Sequence, residues 1–200
     1  SIIFGVDYSF LFNYSVSITR NNLQKYQRFG RPRPVDQEAV SNAYFCWGLY
    51  YMIGNRQKYP RVQYAMNRWR DYMVSMGFGY KLGIDLPGEK RGLIPNADFY
   101  DNAYHGSWNG LTVISIAIGQ GEVNLTPLQI ANLGATIANR GYYYVPHVVK
   151  NVDNEPLDTL FTRRHHTLAS RKAYDYVVAG MRSAVVKGTC RAANRSDYLV

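Results

Sequence analysis

Few positions in this 200-residue chain combine residue type and spacing in a way that chemistry can use. Ser41-Asn42 sets a hydroxyl beside a carboxamide, and from spacing alone that pair reads as a helix N-cap, where side-chain oxygens accept free backbone N–H groups. Gly119-Gln120-Gly121 flanks one carboxamide with two residues free to adopt positive φ, the signature of a turn. His105, His147, His165 and His166 have no cysteine or carboxylate at metal-ligand spacing, so they read as packing or surface histidines and no cofactor is expected. Cys46 and Cys190 are too few for a disulfide framework. Trp47, Trp69 and Trp108 read as core or cleft-edge residues. Arg163-Arg164-His165-His166 and the stretch Arg191 to Arg195 are basic clusters, read as solvated surface with phosphate binding as the alternative.

The elements that must position these groups follow from hydrophobic period and from stop signals. A helix is predicted from Asn42, with Phe45, Leu49, Met52 and Ile53 on one side and Gly54-Asn55 as its stop. After Pro60, a second helix carries Val62, Ala65, Met66, Trp69, Tyr72, Met73 and Met76 at three-and-four spacing and ends at Gly77-Phe78-Gly79. Gly83 to Pro95 is a loop rich in Gly and Pro, and Leu111 to Ile118 is a buried strand or a buried helical turn. Thr126-Pro127 starts a helix whose buried face is expected to be Ile130, Leu133, Ile137 and Ala138, with Gly141 closing it in the left-handed conformation. Tyr142 to Val149 reads as a strand with a bulge or edge at Pro146. Ser170 caps a last helix with Tyr174, Val177, Val178, Met181 and Val185 inward. Helices come first and strands late, with no strand–helix–strand alternation, so the predicted class is α+β.

Composition sets the outer bounds. Hydrophobic residues make up 46% and charged residues 18%, which excludes a disordered chain. The formal net charge of +9 fits an acidic polymer, nucleic acid or an anionic membrane face as partner, or a solubility charge with none. No nucleic-acid motif is present, and no nucleic-acid partner is expected. No apolar run reaches the length of a membrane span, so any anchor is expected to lie outside this chain. The start of the chain, broken by Asp7 and Asn13 and lacking a basic leader, does not read as a signal peptide.

Three blocks carry a family resemblance. Gly83-Ile84-Asp85-Leu86-Pro87-Gly88-Glu89 continues to Gly92-Leu93-Ile94-Pro95. Ile118-Gly119-Gln120-Gly121 continues through Val123 and Leu125 to Thr126-Pro127-Leu128-Gln129. Asn139-Arg140-Gly141 leads into Val145-Pro146-His147. In this order and spacing the chain resembles the class B penicillin-binding proteins, in particular the elongation type. The resemblance covers residues 40–200 as a partial transpeptidase domain and leaves 1–39 unassigned. It implies the fold shared by serine β-lactamases and D,D-transpeptidases, an antiparallel sheet flanked by helices, with this chain mainly its helical portion. It also implies peptidoglycan stem peptides and β-lactams as ligands, other cell-wall synthesis proteins as partners, and a place in the bacterial envelope on the periplasmic face of the inner membrane.

The chemistry that the resemblance implies uses three motifs: S-x-x-K for nucleophile and base, S-x-N for proton relay and substrate amide, and K-T-G for the peptide carboxylate. This sequence contains no S-x-x-K and no K-T-G; the K-T-G strand would be expected shortly after residue 200. Lys187-Gly188-Thr189 has the wrong order and sits at a predicted helix end. Aligning on Tyr44-Phe45 puts Asn42 on the asparagine of S-x-N, Ser41 on the middle position and Val40 on the serine. Either Ser41 substitutes by a one-residue shift or the motif is broken. Ser41 and Asn42 are thus the degenerate motif, and Gly119, Gln120 and Gly121 the expected floor of the substrate cleft. The chain as it stands is expected to be inactive, as an incomplete transpeptidase or as a non-catalytic descendant serving as an interaction module.

Overall fold

The structure, a computed structural model, describes residues 44–151, 153, 155–188 and 190–195. They fall into two compact units, one built from residues up to Gly54, Asn109–Gly121 and the part from Asp175 onward, the other from Asn55–Trp108 and Glu122–Tyr174. The elements are α1 (Tyr44–Gly54), α2 (Val62–Ser75), α3 (Ala97–Tyr104), a 3-10 segment (Ile114–Ile118), α4 (Pro127–Ala138), β1 (Tyr142–Tyr143), α5 (Thr159–Thr162), β2 (His165–His166), α6 (Arg171–Val186) and a short 3-10 turn (Arg191–Ala193). Helices with one small antiparallel sheet make this α+β, as the element order predicts.

Helix boundaries follow their signals closely. α1 stops at Gly54. α2 ends where Gly77 takes φ +92, with the Gly77 amide donating to the Val74 carbonyl and the Phe78 amide to the Met73 carbonyl. α4 begins with a full capping box. Thr126 accepts from the Gln129 amide, and the Gln129 side chain accepts from the Thr126 amide, with Pro127 at the first helical position. α3 escaped the sequence reading because eight residues give too little periodicity. Its start was nonetheless marked, since Asn96 accepts from the Phe99 amide and Asp98 sits in the first turn, where the helix dipole favours a negative charge. Leu111–Ile118 resolves to a helical turn, since Ile114–Ile118 is 3-10.

Four expectations need revising. The fully buried stripe of α4 is Gln129, Asn132 and Thr136, while Ile130, Leu133 and Ile137 are only half-buried and Ala138 is exposed. The chain after α4 turns to positive φ already at Arg140, φ 60, and keeps it in the expected Gly141, φ 113. The Arg140 guanidinium donates to the Ile137 and Ala138 carbonyls, using a cation at the negative helix end to offset the strain of a side chain at positive φ. Glycine at 141 answers both to that φ and to space, because a Cβ there would come within 2.9 Å of the Tyr174 ring. Finally, the strand expected over Tyr142–Val149 pairs only at Tyr142–Tyr143. Farther along, the Val148 and Val149 amides, which a neighbouring strand would have taken, donate to the Asp85 carboxylate. In α6, Tyr174 and Val185 are buried as expected, but Met181 is 42% exposed.

The polar stripe of α4 is where the second unit is tied together. Gln129 is 1% exposed. Its Nε2 donates to the Tyr80 carbonyl at 3.0 Å and to the Arg91 carbonyl at 3.1 Å, and its Oε1 accepts from the Thr126 amide at 3.1 Å. One side chain therefore satisfies two loop carbonyls and one helix-start amide that have no secondary-structure ladder. Replacing it with leucine keeps the volume but strands those groups. Gln129→Leu is expected to lose about 3 kcal/mol of unfolding free energy, against about 1 kcal/mol for the cap variant Thr126→Ala. Urea titrations of the two variants measure the difference.

Candidate functional site

The expected cleft turn lies in the first unit. α1 packs on the segment around the 3-10 turn, with Leu49 and Ile53 buried from one side and Val113 and Ile116 from the other. The approach is close, since a Cβ at Gly110 would stand 2.9 Å from the Tyr50 ring and 3.0 Å from its carbonyl oxygen. The 3-10 segment ends at Gly119 in the left-handed conformation, φ 71. The Gly119 amide donates to the Ile116 carbonyl at 3.1 Å, and the Gln120 amide to the Ser115 carbonyl at 3.1 Å. Gly121 is again left-handed at φ 67, folded so tightly over Ser115 that a Cβ would lie 2.6 Å from its Oγ. Two successive reversals at positive φ need glycine on both sides, which accounts for the Gly-Gln-Gly pattern.

This arrangement presents Gln120 half-buried between two exposed glycines. A carboxamide donates and accepts but does not titrate, so the turn can hold an amide or carboxylate and cannot take a proton from a hydroxyl. The other predicted pair, Ser41-Asn42, lies outside the described residues. The thiol in this unit is equally unsuited to attack: burial pushes the Cys46 pKa up to about 11, so it stays protonated at neutral pH. Both cysteines are free. Among the described residues no three His, Cys, Asp or Glu side chains come together in a metal-holding group.

The other motif residues meet in the second unit, where they build a scaffold. The Glu89 carboxylate accepts from the Leu82 amide at 2.6 Å and the Gly83 amide at 3.0 Å, closing the Gly/Pro-rich loop on itself. Asp85 reaches across to the chain that follows His147, accepting from the Val148 amide at 2.9 Å and the Val149 amide at 2.8 Å. Val145 is buried, and the His147 ring packs on Phe161 with centroids 4.9 Å apart. Deeper in, Leu82, Tyr143 and Val145 form an apolar cluster over which the Tyr80 and Tyr143 hydroxyls share a 2.7 Å hydrogen bond. The roles of Asp85, Glu89 and Gln129 went unread in the sequence. For Asp85 and Glu89 the available signal was two carboxylates in a Gly/Pro loop, where unpaired backbone amides need acceptors.

Asp85 also carries a pH signature. Its pKa is held below the ordinary value of 3.8, chiefly by the Val149 amide, with the Val148 amide and the charge of His147 adding to it. A depressed native pKa stabilises the fold above the unfolded value, and that contribution is lost as pH falls through the native value. Asp85→Asn should therefore melt below the parent at pH 7, and the gap should close as the pH drops below 3.8. Thermal melts at a series of pH values give the comparison; a gap independent of pH would remove the carboxylate from this role.

With this geometry in place, residues 37–199 match the family described as the penicillin binding protein transpeptidase domain. Peptidoglycan D,D-transpeptidase MrdA of Acinetobacter baumannii is 38% identical over 105 residues, covering 52% of this chain and 15% of that protein. PBP2 of Pseudomonas aeruginosa, crystallised in complex with WCK 5153, superposes with a TM-score of 0.59 at 29% identity, covering 69% of this chain and 32% of that one. A chain of a peptidoglycan synthase complex superposes equally well, TM-score 0.59 at 25% identity, covering 80% of this chain and 25% of that one. The chain thus spans less than a third of each of these proteins. Their shared architecture is the transpeptidase-domain fold, of which these residues form a mainly helical part. Since the family match runs through most of the sequence and the superpositions agree with it, this chain belongs to the penicillin binding protein transpeptidase domain family.

Proposed function

We propose that this chain is part of a peptidoglycan D,D-transpeptidase, an enzyme that cross-links stem peptides by serine acyl transfer and is acylated by β-lactams at the same serine. The observation that carries the reading is a transpeptidase-domain match through residues 37–199 in a sequence without S-x-x-K or K-T-G. Attack on a peptide carbonyl needs a hydroxyl with a proton acceptor beside it. The turn at Gly119–Gly121 offers only a carboxamide, and Cys46 is a buried, protonated thiol. The nucleophile and its base therefore belong to sequence other than these 200 residues, and the part played by this chain is to shape one side of the cleft. In that reading Asn42, with Ser41 beside it, stands at the S-x-N position and holds the substrate amide, while Gly119, Gln120 and Gly121 form the cleft floor.

The whole protein then works in the cell envelope, on the periplasmic face of the inner membrane, through an anchor outside this chain. Among the described residues no helix is long and apolar enough to cross a membrane. Other wall-synthesis proteins are its partners, a reading supported by the similar chain solved within a peptidoglycan synthase complex. A second reading, a non-catalytic descendant acting as an interaction module, is favoured by Val40 at the position where the family carries the relay serine.

Labelling with a fluorescent penicillin tests the first reading. The whole gene product should be acylated at a serine outside Ser1–Val200, and the 200-residue chain should stay dark. Stoichiometric labelling of the 200-residue chain overturns it. If the coding sequence on either side also lacks S-x-x-K, the interaction module takes its place.

A further inference from the structure

The two-stranded ribbon in the second unit has two unlike faces. Its register pairs Tyr143 with His165 and Tyr142 with His166. Tyr143 and His165 stack at 5.2 Å with nearly parallel rings, and Tyr143 is 2% exposed, so that face is fixed to the core. Side chains two residues apart share a face, so the opposite face collects Tyr142, Tyr144, Arg164 and His166. The contacts bear this out. Tyr142 lies 5.9 Å from Tyr144 in an edge-to-face pair and 5.8 Å from His166. The Arg164 guanidinium sits 4.7 Å over the Tyr142 ring, and its Nε donates to the Tyr144 hydroxyl at 2.9 Å.

Arg164 is thereby held in one orientation while exposed to solvent. Its Nε proton is used, no carboxylate pairs with it among the described residues, and the outward fork of its terminal nitrogens is left to bind a planar oxyanion two-pronged. Fixing a long side chain in advance removes much of the entropic cost of using it. The net charge of +9 on the chain favours an anionic ligand for that fork. Among the described residues the sheet stops at two strands, so each strand has an outer edge with no strand beside it. Successive bases of a nucleic acid would need open ring faces in series, but Tyr142 is covered by Arg164 and meets Tyr144 edge-on. A folded protein surface needs about 800 Å² per partner, more than a ribbon of two residues per strand supplies. An extended peptide meets both features at once, with its backbone along a ribbon edge and a carboxylate on the fork.

We propose that the Tyr142–Tyr144 and Arg164–His166 ribbon is a docking site for an extended acidic peptide segment of a partner protein, read by Arg164 through a side-chain carboxylate. Tyr144 is the positioning residue, acting through its hydroxyl on Arg164 Nε.

The test uses the full 200-residue chain and a dye-labelled peptide of alternating glutamate and valine, followed by fluorescence anisotropy. Its companions are the same peptide with glutamine for glutamate, a polygalacturonate oligomer and an oligothymidylate. The glutamate peptide should bind best, and more weakly as salt rises. Arg164→Lys keeps the charge but loses the fork and should weaken binding about tenfold. Tyr144→Phe should weaken it several-fold without removing any charge. Arg68→Ala, which removes a positive charge from α2, should leave it unchanged. Equal binding of the glutamine peptide, stronger binding of either polyanion, or an Arg164→Lys affinity equal to that of the parent overturns the proposal.

Discussion

Two loop carbonyls and the first free amide of a helix converge on one buried carboxamide. Tyr80 and Arg91 lie at the two ends of a Gly/Pro-rich loop that has almost no backbone ladder of its own, and Thr126 opens α4. Gln129 serves all three from inside the protein, where an unpaired polar group is costly. That constraint explains why α4 buries a polar stripe where its sequence offers an apolar one. With Gln129 turned inward by its partners, Asn132 and Thr136 follow at helical spacing, and Thr136 satisfies itself on the Asn132 carbonyl. The loop then has fixed ends, and Glu89 and Asp85 can hold its middle and the chain after His147.

The signature blocks of the family thus divide into two kinds of work. The loop from Gly83 to Pro95, the helix start at Thr126-Pro127-Leu128-Gln129 and the Val145-Pro146-His147 segment are held together by side chains that accept or donate to backbone. None of these bonds involves a group set up for acyl transfer. The Gly119-Gln120-Gly121 turn is separate, locked on Ser115 in the first unit. A family can be legible from its scaffold, because the scaffold rests on specific polar geometry between side chains and loop backbone.

The positive charge is likewise put to structural use before any partner arrives. Arg140 closes α4 by bonding its last carbonyls, which lets a non-glycine residue hold a left-handed conformation. Arg164 is laid over a tyrosine and tethered by another. A reading of Arg163-Arg164-His165-His166 as one solvated cluster misses that the strand period splits it. His165 stacks inward on Tyr143, while Arg164 and His166 face out.

What the sequence settled alone was local. Helix starts and stops at Gly54, Gly77, Thr126-Pro127 and Ser170 follow from capping chemistry that involves neighbours in the chain, so a reader of residues can find them. The α+β class and the family were legible for a related reason, since spacing within each block is fixed by turns and caps. Tertiary structure alone decided which face of α4 is buried, that the strand after Tyr143 gives up its pairing to Asp85, and that a glutamine carries the second unit. Each of those outcomes depends on a partner dozens of residues away, and hydrophobic period says nothing about where such a partner will stand.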